Sequence, residues 1–402
     1  MIKAHKIALI PNNRQRTFFA KSAGTARFAY NWALNRWQEL YESGEKVSEQ
    51  ALRRELNAIK RDDFSWMLEV GKCAPQQAIK DLGTAYQRFF NKIAKYPQFK
   101  KKGCGDSFRA DNGPPSKGLD ALEVRGKKVK IPKLGWVRMS ESVRFQGQIK
   151  SGVVSVCAGR WFISFHVDVQ DIPKLPPKNQ RSVGVDLGIH HLATLSTGEK
   201  ISAPRPYRDH MRKLRRLQKS FSRKQKCSHS RRCAQLKLQR CHARIANIRK
   251  DSLHKLTHML TTRFQTIGIE DLNVSGMLKN SKLSRAIADM GFYEFTRQLD
   301  YKAQQRGNSI VKMDRFFPSS KMCSNPSCLQ KNDIELAQRS WTCSHCESYH
   351  DRDINAAINI ERQAVSCTVI KACGEESAGF SHMGEVKLSS AKQEVGFEPS
   401  FG

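Results

Sequence analysis

The sequence has no long apolar run. No stretch approaches the ~18 consecutive apolar residues of a membrane-spanning helix, and the first residues, MIKAHKIALIPNNRQ, hold no apolar segment of a secretory leader. It is also short of acid, with 37 Asp plus Glu against 70 Lys plus Arg and a formal charge of +33. Paired cysteines are scarce as well: of twelve, eight stand singly (Cys73, Cys104, Cys157, Cys227, Cys233, Cys241, Cys367 and Cys373). The first lack points to a soluble, intracellular protein without a membrane partner. The second exceeds what solubility requires and makes a polyanion, nucleic acid, the leading partner class. The third argues against a disulfide framework and for a reducing compartment.

At 402 residues the chain has room for two to four modules. KAHKIALIP alternates as a strand and stops at Pro11. From residue 13 to about 95 the apolar spacing is helical, with Ser48 and Pro75 as punctuation. Aromatics there, among them Phe18, Phe19, Phe28, Tyr30, Trp32, Trp37 and Tyr41, are interleaved with arginines, yet at this spacing they read as core before they read as stacking platforms. Pro, Gly and Lys then accumulate near residue 96, and ALEVRGKKVKIPKLGWVRMS and GVVSVCAGRWFISFHVDVQ alternate as strands. After the Pro-rich DIPKLPPKNQ, strand and helix alternate from about residue 179. The segment 205–250 fits two helices with one apolar face and an almost uniformly basic opposite face, suited to phosphate contact. From about residue 366 the basic bias is lost, and a poorly ordered tail is expected.

Acids recur where ligands approach. GVDLG ends an apolar strand in Asp186, with glycines that would admit a ligand to the backbone, and FQTIGIEDL ends another in Glu270 and Asp271. HDRDINAAINI sets Asp351 and Asp353 at a helix start, where a capping role would explain one acid but not the other strand-end acids. Gathered carboxylates repel unless a divalent cation neutralises them, and hard Mg²⁺ with carboxylate and phosphate oxygens is the usual solution. Beside a polyanion-binding surface this implies phosphodiester chemistry, with two ions expected. Asp186, Glu270 and Asp353 are the expected ligands, and spacing alone leaves Asp271 and Asp351 as competitors.

Cys323 and Cys328 form a C-x₄-C pair and Cys343 and Cys346 a C-x₂-C pair, fourteen residues apart. Four thiolates at ribbon spacing predict one structural zinc with a closed shell, in which His345 and His350 are not needed. Cys227, His229, Cys233, Cys241 and His242 lack such a pair and read as helical.

The order of a GVDLG block, an IEDLN block and a four-cysteine ribbon running into DRDINAAINI resembles the TnpB family of transposon-encoded RNA-guided nucleases, relatives of type V CRISPR effectors. RFAYNWALNRW, YPQFKKKG and IPKLGWV extend the resemblance to roughly residues 1–363. It implies a multidomain α+β fold: a split, wedge-like β-barrel (1–12 and 96–178), a helical recognition lobe (13–95), a RuvC-like domain of RNase H fold (179–318 and 350–365) and a target-binding zinc ribbon (319–349). The acid before x-N-A-A selects Asp353 over Asp351, and the acid before D-L-N selects Glu270. The first cysteine pair departs from the family's usual C-x₂-C.

The resemblance further implies an enzyme that takes a guide RNA from the transposon end, reads a motif beside its double-stranded DNA target and cuts with Mg²⁺ in the prokaryotic cytoplasm, close to the nucleoid. Two rivals share these residues. A nuclease-inactive RNA-guided DNA-binding repressor or transposition regulator would bind without cutting. A strand-transferring transposase would need its own reader of transposon ends, and no clear helix-turn-helix is legible.

Overall fold

Alternating apolar and polar residues make Ile2–Ile10 a strand, β1, with Ile7 and Leu9 buried. Asn12 then opens the 30-residue helix α1 (Asn13–Glu42): its side-chain oxygen accepts the Gln15 N–H while the Gln15 side chain accepts the Asn12 N–H. The computed structural model describes residues 2–111, 122–170, 180–335 and 338–374. These fall into two units, Met1–Lys174 with Pro204–Ser252, and Leu175–Ala203 with Leu253–Gly402.

In the first unit α1 is followed by α2 (Glu49–Ile59), a 3-10 turn at Ser65–Glu69 and α3 (Cys73–Phe90). Then come β2 (Ser107–Asp111), β3 (Glu123–Arg125), β4 (Lys128–Ile131), β5 (Gly135–Met139), β6 (Gln148–Cys157) and β7 (Arg160–Asp168). They build a seven-stranded sheet in the order β2-β6-β7-β1-β5-β4-β3, antiparallel throughout. The first strand thus lies in the middle, paired with β7 along Ile2–Ala8 and with β5 at Leu9 and Ile10. Phe19 and Tyr30 are buried in one core with Ile7, Phe108, Ile163 and Phe165, and Phe18, Phe28, Trp32 and Trp37 pack against it. These aromatics are core, as their spacing predicts; Tyr41 is exposed.

Helices α4 (Pro206–Ser222) and α5 (His229–Arg263) meet through Leu214, Cys241 and Ile245, leaving Arg212, Lys213, Arg215, Arg216 and Lys219 exposed. Cys241 therefore belongs to an apolar seam, and Cys227 sits in the turn before α5. Leu236 on α5 lies under Gly159 in the β6–β7 turn, so a Cβ there would come within 2.7 Å of its Cδ1.

The second unit holds β8 (Gln180–Asp186), β9 (Ala193–Leu195), β10 (Lys200–Ile201), β11 (Phe264–Glu270) and β12 (Ser309–Met313) in one sheet of order β10-β9-β8-β11-β12. β8, β11 and β12 run parallel, with β9 and β10 antiparallel at one edge. Helices α6 (Val274–Met277), α7 (Ser284–Met290) and α8 (Phe292–Arg306) precede β12. A small ribbon follows, with β13 (Ser340–Thr342) antiparallel to β14 (Tyr349–Asp351), and then α9 (Arg352–Gly374). The expected tail from residue 366 overlaps the last turns of α9, and its remainder, 375–402, lies outside the described residues. Among the described residues no helix is long and apolar enough to cross a membrane.

Candidate active site

Strand periodicity sets the site. Along β8 and β11, Val183, Val185, Ile267 and Ile269 face a buried cluster with Leu256, Leu260, Phe295 and Leu299. The alternate positions, Gly184 and Gly268, are register partners on the other face, which α9 covers. A Cβ on Gly184 would lie 1.9 Å from the Ala357 carbonyl oxygen, and one on Gly268 2.9 Å from the Ala364 Cβ. The expectation that the glycines of GVDLG admit a ligand is thus corrected for Gly184, which admits a helix; Gly188 does line the cavity. Two residues beyond the glycines, the same alternation turns Asp186 and Glu270 toward α9, whose first turn carries Asp353. The three carboxylates line one cavity of about 280 Å³, walled also by Ser319, Arg339 and Arg352.

Electrostatics there are strained toward a cation. Burial pushes the Asp186 carboxyl well above the usual range, and the Glu270 and Asp353 carboxylates push it further, against Arg352 and Arg339. Burial also raises Glu270, opposed by the Ser319 hydroxyl, which donates to its Oε1 at 2.9 Å, and by Arg352. The competing acids are engaged elsewhere. Asp271 pairs with Arg315 at 2.7 Å. Asp351 accepts the Ile354 N–H at 3.1 Å and pairs with Lys200 at 2.7 Å. Burial alone would raise Asp351, but these partners hold it below its usual value.

Several residues here carry no signal in the linear sequence. Arg339, from the ribbon, places Nη1 3.7 Å from Asp353 Oδ1. Asn355, Asn359 and Arg362 form one stripe on α9 that grips the chain entering the ribbon. Asn355 Nδ2 donates to the Met322 carbonyl at 2.7 Å and its Oδ1 accepts the Ser324 N–H at 2.9 Å. Asn359 donates to the Ser319 and Met322 carbonyls at 2.8 and 2.7 Å, and Arg362 to the Ser324 carbonyl at 2.7 Å. Both asparagines are buried. Their i, i+4, i+7 spacing puts them on one face of the helix, and the structure shows what that face holds.

Cys323, Cys328, Cys343 and Cys346 have their sulfur atoms within 4.8 Å of one another, the one such group among the described residues. Cys323 and Cys346 are 3.6 Å apart and Cys328 and Cys343 3.7 Å. Four sulfurs at about 2.3 Å from one ion in a tetrahedron stand about 3.8 Å apart, so the cluster fits a metal ion of zinc's size. The longer first knuckle is absorbed by a turn in which Cys328 N–H donates to the Asn325 carbonyl at 3.0 Å and Leu329 takes φ +52°. His350 sits outside the four, Nε2 3.1 Å from Cys323 Sγ, and His345 offers its backbone N–H to Cys343 Sγ at 3.5 Å.

Family profiles match three segments. One described as a probable transposase (OrfB, IS605) matches residues 164–281, one for the TNB domain of Cas12f1-like proteins 292–360, and one described as a helix-turn-helix domain 1–46. Over the described part of 1–46 the structure holds β1 and the single helix α1, with no turn between two helices. A Streptomyces pristinaespiralis protein named "Putative RNA-guided DNA endonuclease" is 34% identical over 398 residues, spanning 98% of this chain and 96% of the relative. The Escherichia coli K12 protein of the same name, InsQ, is 33% identical over 394 residues, spanning 93% and 94%. Among solved structures, Cas12f1 in its complex with guide RNA and target DNA aligns over 87% of this chain and 83% of its own, with TM-score 0.56 and 15% identity, a likeness of fold.

Proposed function

The chain belongs to the TnpB family, and from that membership we propose that it is an RNA-guided DNA endonuclease, with Asp186, Glu270 and Asp353 as its catalytic acids. The observation that carries this reading is the convergence of the three carboxylates, from the ends of β8 and β11 and the start of α9, in one cavity. Their donor set is all oxygen, and two of them are disfavoured as bare anions by burial. That suits Mg²⁺, held by Asp186, Glu270 and Asp353, which when bound would lower the pKa of a coordinated water and offset charge on the leaving 3′ oxygen.

The rest is the work of side chains. Ser319 holds one oxygen of Glu270 and so fixes that carboxylate's direction. Arg339 and Arg352 bring cations to the wall where a phosphodiester would lie, favouring the charge that builds on its oxygens. The four cysteines hold a structural zinc that keeps the ribbon folded against α9. In this reading the sheet of the second unit, three parallel strands with an antiparallel edge, is the RuvC-like core of RNase H type (179–318 and 350–365), and 319–349 is its ribbon. The first unit's sheet supplies the wedge-like barrel (1–12 and 96–178), α1 to α3 the recognition lobe (13–95), and the basic faces of α4 and α5 contact phosphates.

The test co-expresses the protein with RNA from its transposon end and supplies Mg²⁺ and a plasmid library carrying the target beside randomised flanks. Depletion of one flanking motif by wild type and not by Asp186→Ala is expected. Bound RNA and target without cutting by wild type would replace this reading with that of a guided repressor, and the absence of bound RNA would overturn both.

A further inference from the structure

The segment between β12 and the ribbon, which joins the wall of the carboxylate cavity at Ser319, holds one aromatic ring out into solvent. Phe316 is 87% exposed, the most of any large hydrophobic residue described. A lone exposed apolar side chain is ordinary. This one is presented by a segment pinned on both sides. Arg315 donates from Nη2 to Asp271 Oδ2 at 2.7 Å, and Ser319 donates to Glu270 Oε1 at 2.9 Å. Just ahead of the first pin, the Asp314 side chain accepts the Phe316 N–H at 2.8 Å and its carbonyl the Phe317 N–H at 3.1 Å. The consecutive acids that end β11 therefore anchor the residues on either side of the ring, and the second anchor is itself part of the cavity wall.

We propose that Phe316 is a stacking platform for one nucleobase of the strand being cut, setting the adjacent phosphodiester against Asp186, Glu270 and Asp353. An aromatic face binds any base because every base has a π-face. In a duplex both faces of a base are already covered, so the platform is open only to an unpaired nucleotide and favours a strand already separated from its complement. A ring at a fixed site three residues from Ser319 fits that use better than a core use, since it buries almost nothing in the protein. The proposal rests on the nuclease reading above.

The RNA-loaded protein tests it, as wild type, Phe316→Ala and Phe316→Trp, on target DNA in which single abasic nucleotides are walked past the cut position. Phe316→Ala is expected to raise KM about ten-fold with kcat changed far less and the melting temperature unaltered, and Phe316→Trp to restore KM. One abasic position should weaken wild type about as much as Phe316→Ala does and add nothing to Phe316→Ala. Equal abasic penalties in both proteins, or an unchanged KM, would overturn the proposal. A second readout needs no cutting: in an Asp186→Ala background, the Phe316→Trp variant should lose fluorescence when a single-stranded oligodeoxynucleotide binds, relative to the same protein with Phe316, and unquenched fluorescence on binding counts against stacking. Quenching together with an inert wild type would retire the nuclease reading and leave the platform standing.

Discussion

Replacing Asn355 by alanine removes the central peg between α9 and the chain entering the ribbon. Two short bonds go, at 2.7 Å to the Met322 carbonyl and at 2.9 Å from the Ser324 N–H, together with longer contacts to the Ser319 and Ser320 carbonyls at 3.4 and 3.5 Å. Met322 keeps its second partner, Asn359, at 2.7 Å, so that loss is small. Ser324 is buried and its N–H is left with no acceptor, a deficit of about 1–3 kcal/mol. Taking about 2 kcal/mol, the segment 319–324 should leave α9 about 30-fold more often, since 1.4 kcal/mol is a factor of ten. Hydrogen exchange at the Ser324 amide should accelerate by about that factor, while amides of β8 and β11 keep their protection. Cutting should slow in parallel, because Ser319 at the head of the segment holds Glu270. Asn355→Asp, which retains an acceptor for Ser324, should recover part of the protection. Unchanged exchange at Ser324, or equal acceleration throughout the second unit, would refute a local peg.

Gly184→Ala drives a Cβ into the Ala357 carbonyl and should destabilise the second unit by about 3 kcal/mol or more, read from denaturant midpoints. Cys328→Ser should reduce tightly held zinc from about one ion per chain to near none after dialysis, measured by elemental analysis, despite the longer knuckle. Asp186 and Glu270 both have raised folded-state pKa values, from ordinary values of 3.8 and 4.5. Each therefore contributes stability that is present below those values and lost as pH rises through the raised ones. Without divalent metal the contribution of this pair falls as pH rises above about 4, and Mg²⁺ should raise the melting temperature of wild type at about pH 8 but leave that of Asp186→Asn/Glu270→Gln unmoved. A wild type indifferent to Mg²⁺ at that pH would count against the carboxylate cavity as its site.

What the sequence revealed and what it concealed follow from range. Apolar runs ending in acid, VGVD and IGIE, are local signals, and the structure brings both acids and Asp353 together. The four cysteines are legible through spacing, and gather despite the C-x₄-C departure. Gly184 was misread because a strand glycine looks alike whether a ligand or a helix approaches it; only the partner register with Gly268 and the backbone of α9 decide. Ser319, Asn355, Asn359 and Arg339 act across contacts to residues distant in the chain, and nothing in their neighbours distinguishes them from ordinary polar residues. The choice between Asp351 and Asp353 rested on family resemblance, and its physical counterpart is the Lys200 pair that draws Asp351 aside.

The stripe on α9 also has a consequence for how such proteins diversify. The ribbon departs at Ser319–Ser324, gripped by Asn355, Asn359 and Arg362, and returns through β14 directly into the same helix. Both ends of the insert thus share one socket, built on a helix that also carries an acid of the cavity. What lies between the ends can lengthen, shorten or be exchanged, as the extra residues between Cys323 and Cys328 already illustrate, without shifting Asp353. The ribbon is a cartridge, and a designer wishing to replace it must satisfy two short backbone segments and the asparagines that receive them, and restore the cation that Arg339 brings beside Asp353.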